Sequence, residues 1–140
     1  MSTTITAPTA ATSSVPTIGS LLRGGGAASV VAAVATAAVA ASGQAVGFSL
    51  DVGGAPIPVP GFATLTVMFS VIGLLIAVGL RRFARRPRTT WVRTTVALTA
   101  LSLVPDVLAD AAPTTKALLM VTHLVAAAIV IPAVARRLRA

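Results

Sequence analysis

Two side chains, His123 and Asp106, have the types and the placement that chemistry inside a membrane would need. His123 lies about nine residues into the apolar segment 114–135, which places it ~13 Å along a helix from one end. Thr99 and Ser102 reach a similar depth on the preceding segment when counted from the same end. An ionisable residue within a span is a candidate functional site by default. The sequence therefore predicts a polar cluster near that end, made of Gln44, Thr99, Ser102, Asp106, Thr122 and His123.

Three roles are open for His123. A neutral imidazole could hydrogen-bond Ser102 or Thr99 and hold two helices in register. A proton-sensitive switch would pair His123 with Asp106, because imidazole gains its charge near physiological pH. Ligation of a haem or a metal would need a second chain to supply another histidine, because one histidine without cysteine or glutamate cannot complete a site.

The same side chains argue against an enzyme. A hydrolase built from Ser102, Asp106 and His123 would need a strained turn around the serine and an oxyanion donor. The sequence has no Gly-x-Ser-x-Gly motif, and it contains neither cysteine nor glutamate. We therefore predict no catalytic residues, no metal site and no cofactor.

The composition places these residues in a membrane protein. Apolar residues make up 56% of the 140 residues and charged residues 10%, and the mean hydropathy is +0.95. A soluble domain carries roughly 25% charged residues, and runs of about 20 apolar residues are typical of transmembrane helices. The prediction is an all-α integral membrane four-helix bundle of two antiparallel transmembrane hairpins, with spans at about 27–47, 62–80, 89–108 and 114–135.

Arginines orient the predicted spans. Ten of the eleven basic residues flank one side of the bundle, and Lys116 alone lies on the other. The positive-inside rule therefore places both termini in the cytoplasm. The predicted location is the plasma (inner) membrane, as a multi-pass protein. Arginines beside apolar segments are expected to contact anionic lipid headgroups, and we predict no nucleic-acid partner. The predicted lipid contacts are Arg81, Arg82, Arg85, Arg86, Arg88 and Arg93.

Residues 1–26 are rich in Thr, Ser, Pro and Ala without an apolar period, which predicts a disordered cytoplasmic tail. The three glycines of residues 24–26 are expected to loosen the chain just before the first span. Residues 38–40 (Ala-Val-Ala) resemble a signal-peptide cleavage site. Such a leader would be unusually long and would carry Arg23 as its basic residue, so we expect the first span to be retained.

The connections between spans follow from special residues. Alternating prolines mark residues 48–61 as an outer loop without helix. Pro105 is expected to kink or end the third span, and Trp91 to anchor the start of that span at the membrane interface. Asp110 and Lys116 are expected to form an exposed pair or to cap the fourth span.

Small and hydroxyl side chains recur at steps of three and four along three of the spans, which keeps them on one helix face. In lipid, small residues permit close approach of two backbones and hydroxyls can bond across helices. These faces are predicted to be packing surfaces, while a solute pathway lined by the same hydroxyls is the alternative. The positions expected to pack are Gly43, Gly47, Ser70, Gly73 and Ala77.

Several short motifs resemble a known family. They are residues 102–105 (Ser-Leu-Val-Pro), a short acidic loop, residues 123–125 (His-Leu-Val), and Ile131-Pro132 before a terminal arginine cluster. Together with the proline-rich first loop, they resemble a family of small actinobacterial four-span membrane proteins catalogued as a domain of unknown function. The resemblance covers residues 27–138, implies four spans and implies no activity.

Two functions are compatible with these observations. The first is a non-enzymatic accessory, interaction or envelope-organising subunit that packs against other membrane spans in a homo-oligomer or a larger complex. The second is a small carrier or ligand-binding bundle for a lipid, a quinone or a proton, with its site near His123 and Asp106.

Overall fold

The computed structural model describes residues 17–138, which form four α-helices and one short β-hairpin. All four helices are long and apolar enough to cross a membrane, which confirms the predicted all-α membrane bundle. The helices are α1 (Ile18–Ala45), α2 (Val59–Phe83), α3 (Pro87–Leu108) and α4 (Pro113–Arg137), and the hairpin strands are β1 (Asp51–Val52) and β2 (Ala55–Pro56).

The bundle has two distinct ends. The start of α1, the loop 84–86 and the last turn of α4 form one end, which we call the arginine end. The connections 46–58 and 109–112 form the other, which we call the loop end. Successive helices run between these two ends and are therefore antiparallel. α1 packs mainly on α4 and α2, and α4 also packs on α3, whereas α2 and α3 touch only slightly. The bundle is consequently open between α2 and α3.

The first helix begins earlier than predicted, at Ile18 instead of residue 27. Thr17 caps it, because its side-chain oxygen accepts a hydrogen bond from the Ser20 backbone N–H at 3.2 Å, as helix N-caps commonly do. The prediction of a disordered tail up to residue 26 is therefore wrong for residues 18–26, which are helical. Residues 1–16 lie outside the described part of the chain.

The glycines of residues 24–26 lie inside this helix instead of loosening the chain. A side chain at Gly25 would collide with Leu74 of α2, and one at Gly24 would come within 2.9 Å of Arg137 Nε on α4. Glycine costs about 1 kcal/mol in a helix interior relative to alanine. The close approach of two neighbouring helices explains why it is tolerated here.

The proline-rich loop contains a β-hairpin that the sequence prediction lacks. Gly53 and Gly54 form its two-residue turn with φ of +60° and +78°, and positive φ at both central residues is the geometry of a hairpin turn. The Ile57 N–H donates to the Leu50 carbonyl at 3.0 Å, and the Gly53 N–H donates to the Asp110 carbonyl at 2.8 Å. The hairpin therefore joins the two connections of the loop end.

Prolines lie inside two of the helices without ending them. α3 continues past Pro105 to Leu108, and α4 continues past Pro132 to Arg137. Pro60 is part of the first turn of α2, where a missing N–H removes no intrahelical bond.

The arginine end contains an apolar cluster to which all four helices contribute. Trp91 of α3 lies at its centre with 1% of its surface exposed, and its indole N–H donates to the Ile131 carbonyl at 3.1 Å. The prediction that Trp91 is an interfacial anchor is therefore wrong, because small residues of α2 and α4 leave room for the ring inside the bundle. The other buried members are Leu21, Ala77, Val134, Ala135 and Leu138.

The loop end contains a second apolar cluster, formed by α1, α2, α4 and the outer loop. Its buried members are Ala40, Leu50, Phe62 and Leu118, with Val39, Ile57, Val59 and Leu119 packed against them. None of these residues belongs to α3.

The two glycines of the predicted Gly-xxx-Gly pair have different roles. Gly43 is buried, and a Cβ there would lie 2.7 Å from Leu118 Cδ1. A Cβ at Gly47 would meet no atom of residues 17–138 within 4 Å, apart from its chain neighbours, so the prediction that it packs is wrong. Its φ is +87°, and the Gly47 and Phe48 N–H groups donate to the Gln44 and Gly43 carbonyls. This is the Schellman motif that ends many helices.

The predicted packing positions on α2 face the interior. Ser70 and Ala77 are buried, and a Cβ at Gly73 would lie 3.5 Å from Trp91 Cη2. Gly73 therefore provides the space above the indole ring.

One hydroxyl pair joins α1 to α2. Thr36 Oγ1 and Thr66 Oγ1 are 2.9 Å apart, and Thr66 Oγ1 is 2.7 Å from the Phe62 carbonyl oxygen. Thr36 Oγ1 also lies 3.1 Å from the Ala33 carbonyl oxygen. Because each hydroxyl has one hydrogen, the two threonines can satisfy two of these three contacts at a time, and either one can be the donor between the helices.

Candidate functional site

Asp106 and His123 meet because α3 and α4 are antiparallel. Asp106 lies in the last turn of α3, and His123 lies almost three turns into α4, or about 15 Å from its start. Side chains on a helix tilt toward its N-terminus. Asp106 therefore leans away from the loop end and His123 leans toward it. The two groups meet between their Cα positions, with His123 Nδ1 2.8 Å from Asp106 Oδ2.

The imidazole has a second oxygen neighbour, the carbonyl of Leu119, at 3.1 Å from Nδ1. A carbonyl oxygen can only accept, so this contact is a hydrogen bond in the tautomer that carries its hydrogen on Nδ1. That hydrogen points at Leu119, and Asp106 Oδ2 receives no hydrogen bond within residues 17–138 despite its short distance to the ring. The carboxylate is therefore close to the imidazole without being satisfied by it.

The exposure of the two side chains is unequal. Asp106 has 10% of its side-chain surface exposed and His123 has 38%. Burial of a carboxylate oxygen without a hydrogen bond is unfavourable, and an ionisable group within a span is usually functional. The open position on Oδ2 can accept a proton, a small cation or the donor group of a ligand.

The pair does not form a metal site by itself. Within residues 17–138, no three His, Cys, Asp or Glu side chains lie close enough together to hold a metal ion.

Two other members of the predicted cluster are directed elsewhere. The Thr99 hydroxyl donates to the Thr95 carbonyl at 2.8 Å, and the Ser102 hydroxyl donates to the Thr99 carbonyl at 2.7 Å. The hypothesis that either hydroxyl binds His123 is therefore wrong. Hydroxyls on a helix commonly bond the preceding turn of their own backbone.

The remaining members lie at different distances from the pair. Thr122 is buried, and its hydroxyl donates to the Leu119 carbonyl at 2.7 Å. The same carbonyl oxygen lies 3.1 Å from His123 Nδ1. Gln44 is exposed in the last turn of α1. In the described part of the chain its side chain makes no hydrogen bond with Asp106 or His123. The structure therefore reduces the six-residue cluster to Asp106 and His123, with Thr122 beside them.

Polar contacts tie the neighbouring loop-end segments together. Lys116 Nζ donates to the Val107 carbonyl at 3.0 Å, so Lys116 caps the C-terminus of α3 instead of pairing with Asp110 or capping α4. A cation is favourable at that end of a helix. The Thr115 hydroxyl donates to the Ser49 carbonyl at 2.6 Å and ties the outer loop to α4.

The opposite charges lie at opposite ends. All three acidic side chains of the chain, Asp51, Asp106 and Asp110, are at the loop end. The residues predicted to contact lipid headgroups are at the arginine end, where Arg81 is half-buried and the others are exposed. The exposed ones are Arg82, Arg85, Arg86, Arg88 and Arg93.

Sequence reasoning missed the hairpin and the buried indole. The hairpin had a signal, because two glycines between short segments are typical of a two-residue hairpin turn. The central position of Trp91 had a weaker signal, namely Gly73 and Ala77 one turn apart on α2. The Lys116 cap had no clear sequence signal, since its acceptor is a backbone carbonyl.

Comparison with known proteins identifies a family and no activity. No curated protein and no solved structure matches the chain. A family model matches residues 16–140, which is most of the chain. With four apolar helices and this match, the chain is a multi-pass membrane protein that belongs to the family of unknown function DUF6069.

Proposed function

We propose that the chain is a non-enzymatic plasma-membrane protein that acts by associating with other membrane spans, and that α3 is the helix through which it associates. The arginine end faces the cytoplasm in this proposal. The spans it binds belong to further copies of the chain or to a larger complex.

The observation that carries the proposal is the combination of exposure and composition in α3. The most apolar 18-residue stretches of α2 and α3 are equally buried, at 11%, but their mean hydropathies are 2.3 and 1.2. α3 has two buried residues, Trp91 and Asp106, and α1 has nine. The least apolar helix is therefore as exposed as a strongly apolar one, and lipid is a poorer solvent for it.

The exposed side of α3 has a surface that another helix can approach. Ala97 and Leu101 lie one turn apart on it, and both are exposed. A small residue such as Ala97 allows a second helix backbone to come close in lipid. A second span on this side would also cover the gap between α2 and α3.

Photo-crosslinking in the native membrane tests the proposal. A photoreactive residue at Leu101 of α3 is compared with the same residue at Leu75 of α2 and Val34 of α1, whose exposed fractions are similar at 65%, 68% and 64%. We expect a protein adduct from Leu101 and lipid adducts alone from the two control positions. Lipid adducts at all three positions would end the proposal.

The cytoplasmic placement of the arginine end has its own test. The chain has no cysteine, so a single introduced cysteine can be labelled without background. In intact cells, a membrane-impermeant maleimide should label Ala111→Cys at the loop end and should not label Arg85→Cys. The reverse pattern would invert the orientation.

A second candidate function is favoured by the buried pair. The open acceptor position of Asp106 beside a half-exposed imidazole suits a small carrier that binds a proton or a proton-bearing ligand. Proton-carrying membrane proteins use carboxylate and histidine side chains in this way.

Proton flux into vesicles tests this second candidate. The purified protein is reconstituted with an internal pH dye, and Asp106→Asn is compared with Asp110→Asn, whose carboxylate is exposed at the same end. We expect the wild type and Asp110→Asn to dissipate a pH gradient and Asp106→Asn to be inactive. No flux from the wild type would remove proton transport from consideration.

A further inference from the structure

A groove runs along the outer surface of the bundle between α3 and α4. Its volume is about 490 Å³, which is within the usual range for small-molecule sites of roughly 300–1,000 Å³. The groove is open along one side, and almost all of its lining surface is apolar. The lining residues are Val96, Thr99, Ala100 and Leu103 from α3 and Leu124, Ala127, Ala128, Ile131 and Pro132 from α4.

The polar side chain in the groove lining, Thr99, is already engaged within α3. The hydroxyl of Thr99 donates to the Thr95 carbonyl, so the side chain presents its methyl group as apolar surface. A shallower apolar depression continues from Leu103 to Leu108 along α3. An occupant of the groove must therefore present an apolar surface to its walls.

The length of the groove matches one leaflet of a membrane. The two depressions together extend from Val96 to Leu108, which is about 18 Å along a helix. The hydrocarbon core of a bilayer is about 30 Å thick, so that one leaflet contributes about 15 Å. An acyl chain that starts at the arginine end would reach the middle of the membrane within the groove.

Two arginines lie one turn beyond the groove at the arginine end, one on each of its two helices. Arg93 precedes Val96 by one turn on α3, and Arg136 follows Pro132 by one turn on α4. Both arginines are exposed. The acidic side chains of the chain all lie at the loop end, so none of them neutralises this pair. A guanidinium group binds phosphate oxygens through two parallel hydrogen bonds.

We propose that the α3–α4 groove binds one anionic phospholipid, with its phosphate between Arg93 and Arg136 and an acyl chain along the apolar walls. This site is separate from the association surface on the other exposed side of α3. It also differs from general attraction to the membrane surface, because it holds a single lipid that stays with the protein after extraction. The cytoplasmic leaflet is the usual location of anionic lipids.

Native mass spectrometry of the full chain, extracted from its own membrane in a mild detergent, tests the proposal. Arg93→Gln/Arg136→Gln removes the two groove charges, and Arg23→Gln/Arg137→Gln removes two charges from the same end, away from the groove. Ala128→Phe fills the groove, and Ala41→Phe adds the same side chain at an exposed position of α1.

The wild type should retain one phospholipid per chain. Each basic side chain next to anionic headgroups strengthens binding about fivefold, so the groove double variant should lower the lipid-bound ratio about 30-fold. Ala128→Phe should lose the lipid, and both control variants should retain it. The mass of the released lipid identifies its headgroup.

Three results would overturn the proposal. One is a wild-type protein without bound phospholipid, and another is equal loss of lipid in the groove and control variants. The third is a lipid-free dimer or complex that Ala128→Phe dissociates, because the groove would then be occupied by a second span. The arginine and alanine variants are independent, so a folding defect in either one leaves the other as a test. Failure of crosslinking at Leu101 would not bear on this site.

Discussion

The two ends of the bundle hold α3 by different kinds of contact. At the arginine end, Trp91 of α3 is enclosed by side chains from the three other helices, in one apolar cluster. At the loop end, the apolar cluster excludes α3. The contacts of α3 there are polar: Asp106 approaches His123, and Lys116 donates to the Val107 carbonyl.

This difference means that α3 is attached to the bundle unequally at its two ends. Apolar burial is non-directional and tolerates small shifts, whereas a charged contact depends on protonation and alignment. The two ends of α3 should therefore respond to different substitutions. The arginine end should be sensitive to loss of side-chain volume, and the loop end should be sensitive to loss of a charged or polar side chain. The following predictions are ordered from the largest expected effect to the smallest.

Trp91→Ala tests the apolar attachment. Removal of a buried aromatic ring typically lowers the free energy of unfolding by about 3–5 kcal/mol, and the indole hydrogen bond to Ile131 is lost with it. The free energy of unfolding in detergent, followed by circular dichroism, measures the effect. Phe83→Ala is the control, because Phe83 is 83% exposed. Equal losses in the two variants would contradict the central role of Trp91.

His123→Leu tests the polar attachment. It replaces the polar ring 2.8 Å from the already unsatisfied Asp106 Oδ2 with an apolar side chain, and this more apolar environment for a buried polar group should cost about 1–3 kcal/mol. The local sign should be faster amide hydrogen exchange in the last turns of α3, with the turns around Trp91 unchanged.

The double variant Asp106→Leu/His123→Leu serves as the control for this prediction. When both polar partners of a buried pair are replaced by apolar side chains, stability commonly recovers. Slow exchange at the end of α3 in the single variant would show that the pair does not hold the helix.

Substitutions of the two glycines at the end of α1 compare the effect of backbone geometry with the effect of packing at the loop end. Gly47→Ala places a Cβ on a residue with φ of +87°, which should cost about 1 kcal/mol. Gly43→Ala meets the flexible end of the Leu118 side chain, and the better helix propensity of alanine offsets part of that contact. We therefore expect the larger drop in thermal stability from Gly47→Ala. The opposite ranking would indicate that the Leu118 contact is rigid.

The smallest effect should come from the hydroxyl pair between α1 and α2. Thr36→Val removes one interhelical hydrogen bond, and such bonds average about 0.6 kcal/mol in membrane proteins. Thr64→Val is the matched control, because the Thr64 hydroxyl donates to its own helix at Pro60. A double-mutant cycle with Thr66→Val measures the coupling energy, and a value of zero would mean that the two hydroxyls do not interact.

The sequence was sufficient for the helices and insufficient for their ends. Apolar runs long enough to span a membrane predicted all four helices, because lipid requires each span to satisfy its own backbone hydrogen bonds. The start of α1 was misplaced because residues 18–26 are glycine-rich and lack a long apolar run. In the structure, Thr17 caps this segment and Gly25 lies close to Leu74 of α2.

The candidate site was predictable in part. A histidine inside a span and an aspartate at the end of its neighbour are visible in the sequence, and the antiparallel hairpin brings them together. The hydroxyls of Thr99 and Ser102 share the face of Asp106, yet they bond their own helix. Spacing along a helix cannot distinguish a hydroxyl that bonds its own backbone from one that bonds a neighbour.

The sequence by itself determined the membrane class, the four spans and the separation of basic from acidic residues, because these depend on the composition of continuous segments. The tertiary structure alone decided that Trp91 is central, that α3 is excluded from the apolar cluster at the loop end, and that Asp106 has an unsatisfied oxygen. These facts depend on which helices are neighbours and how closely they approach. In lipid, apolar segments have no hydrophobic force to choose their neighbours, so that choice rests on the shapes of small residues and on a few polar contacts.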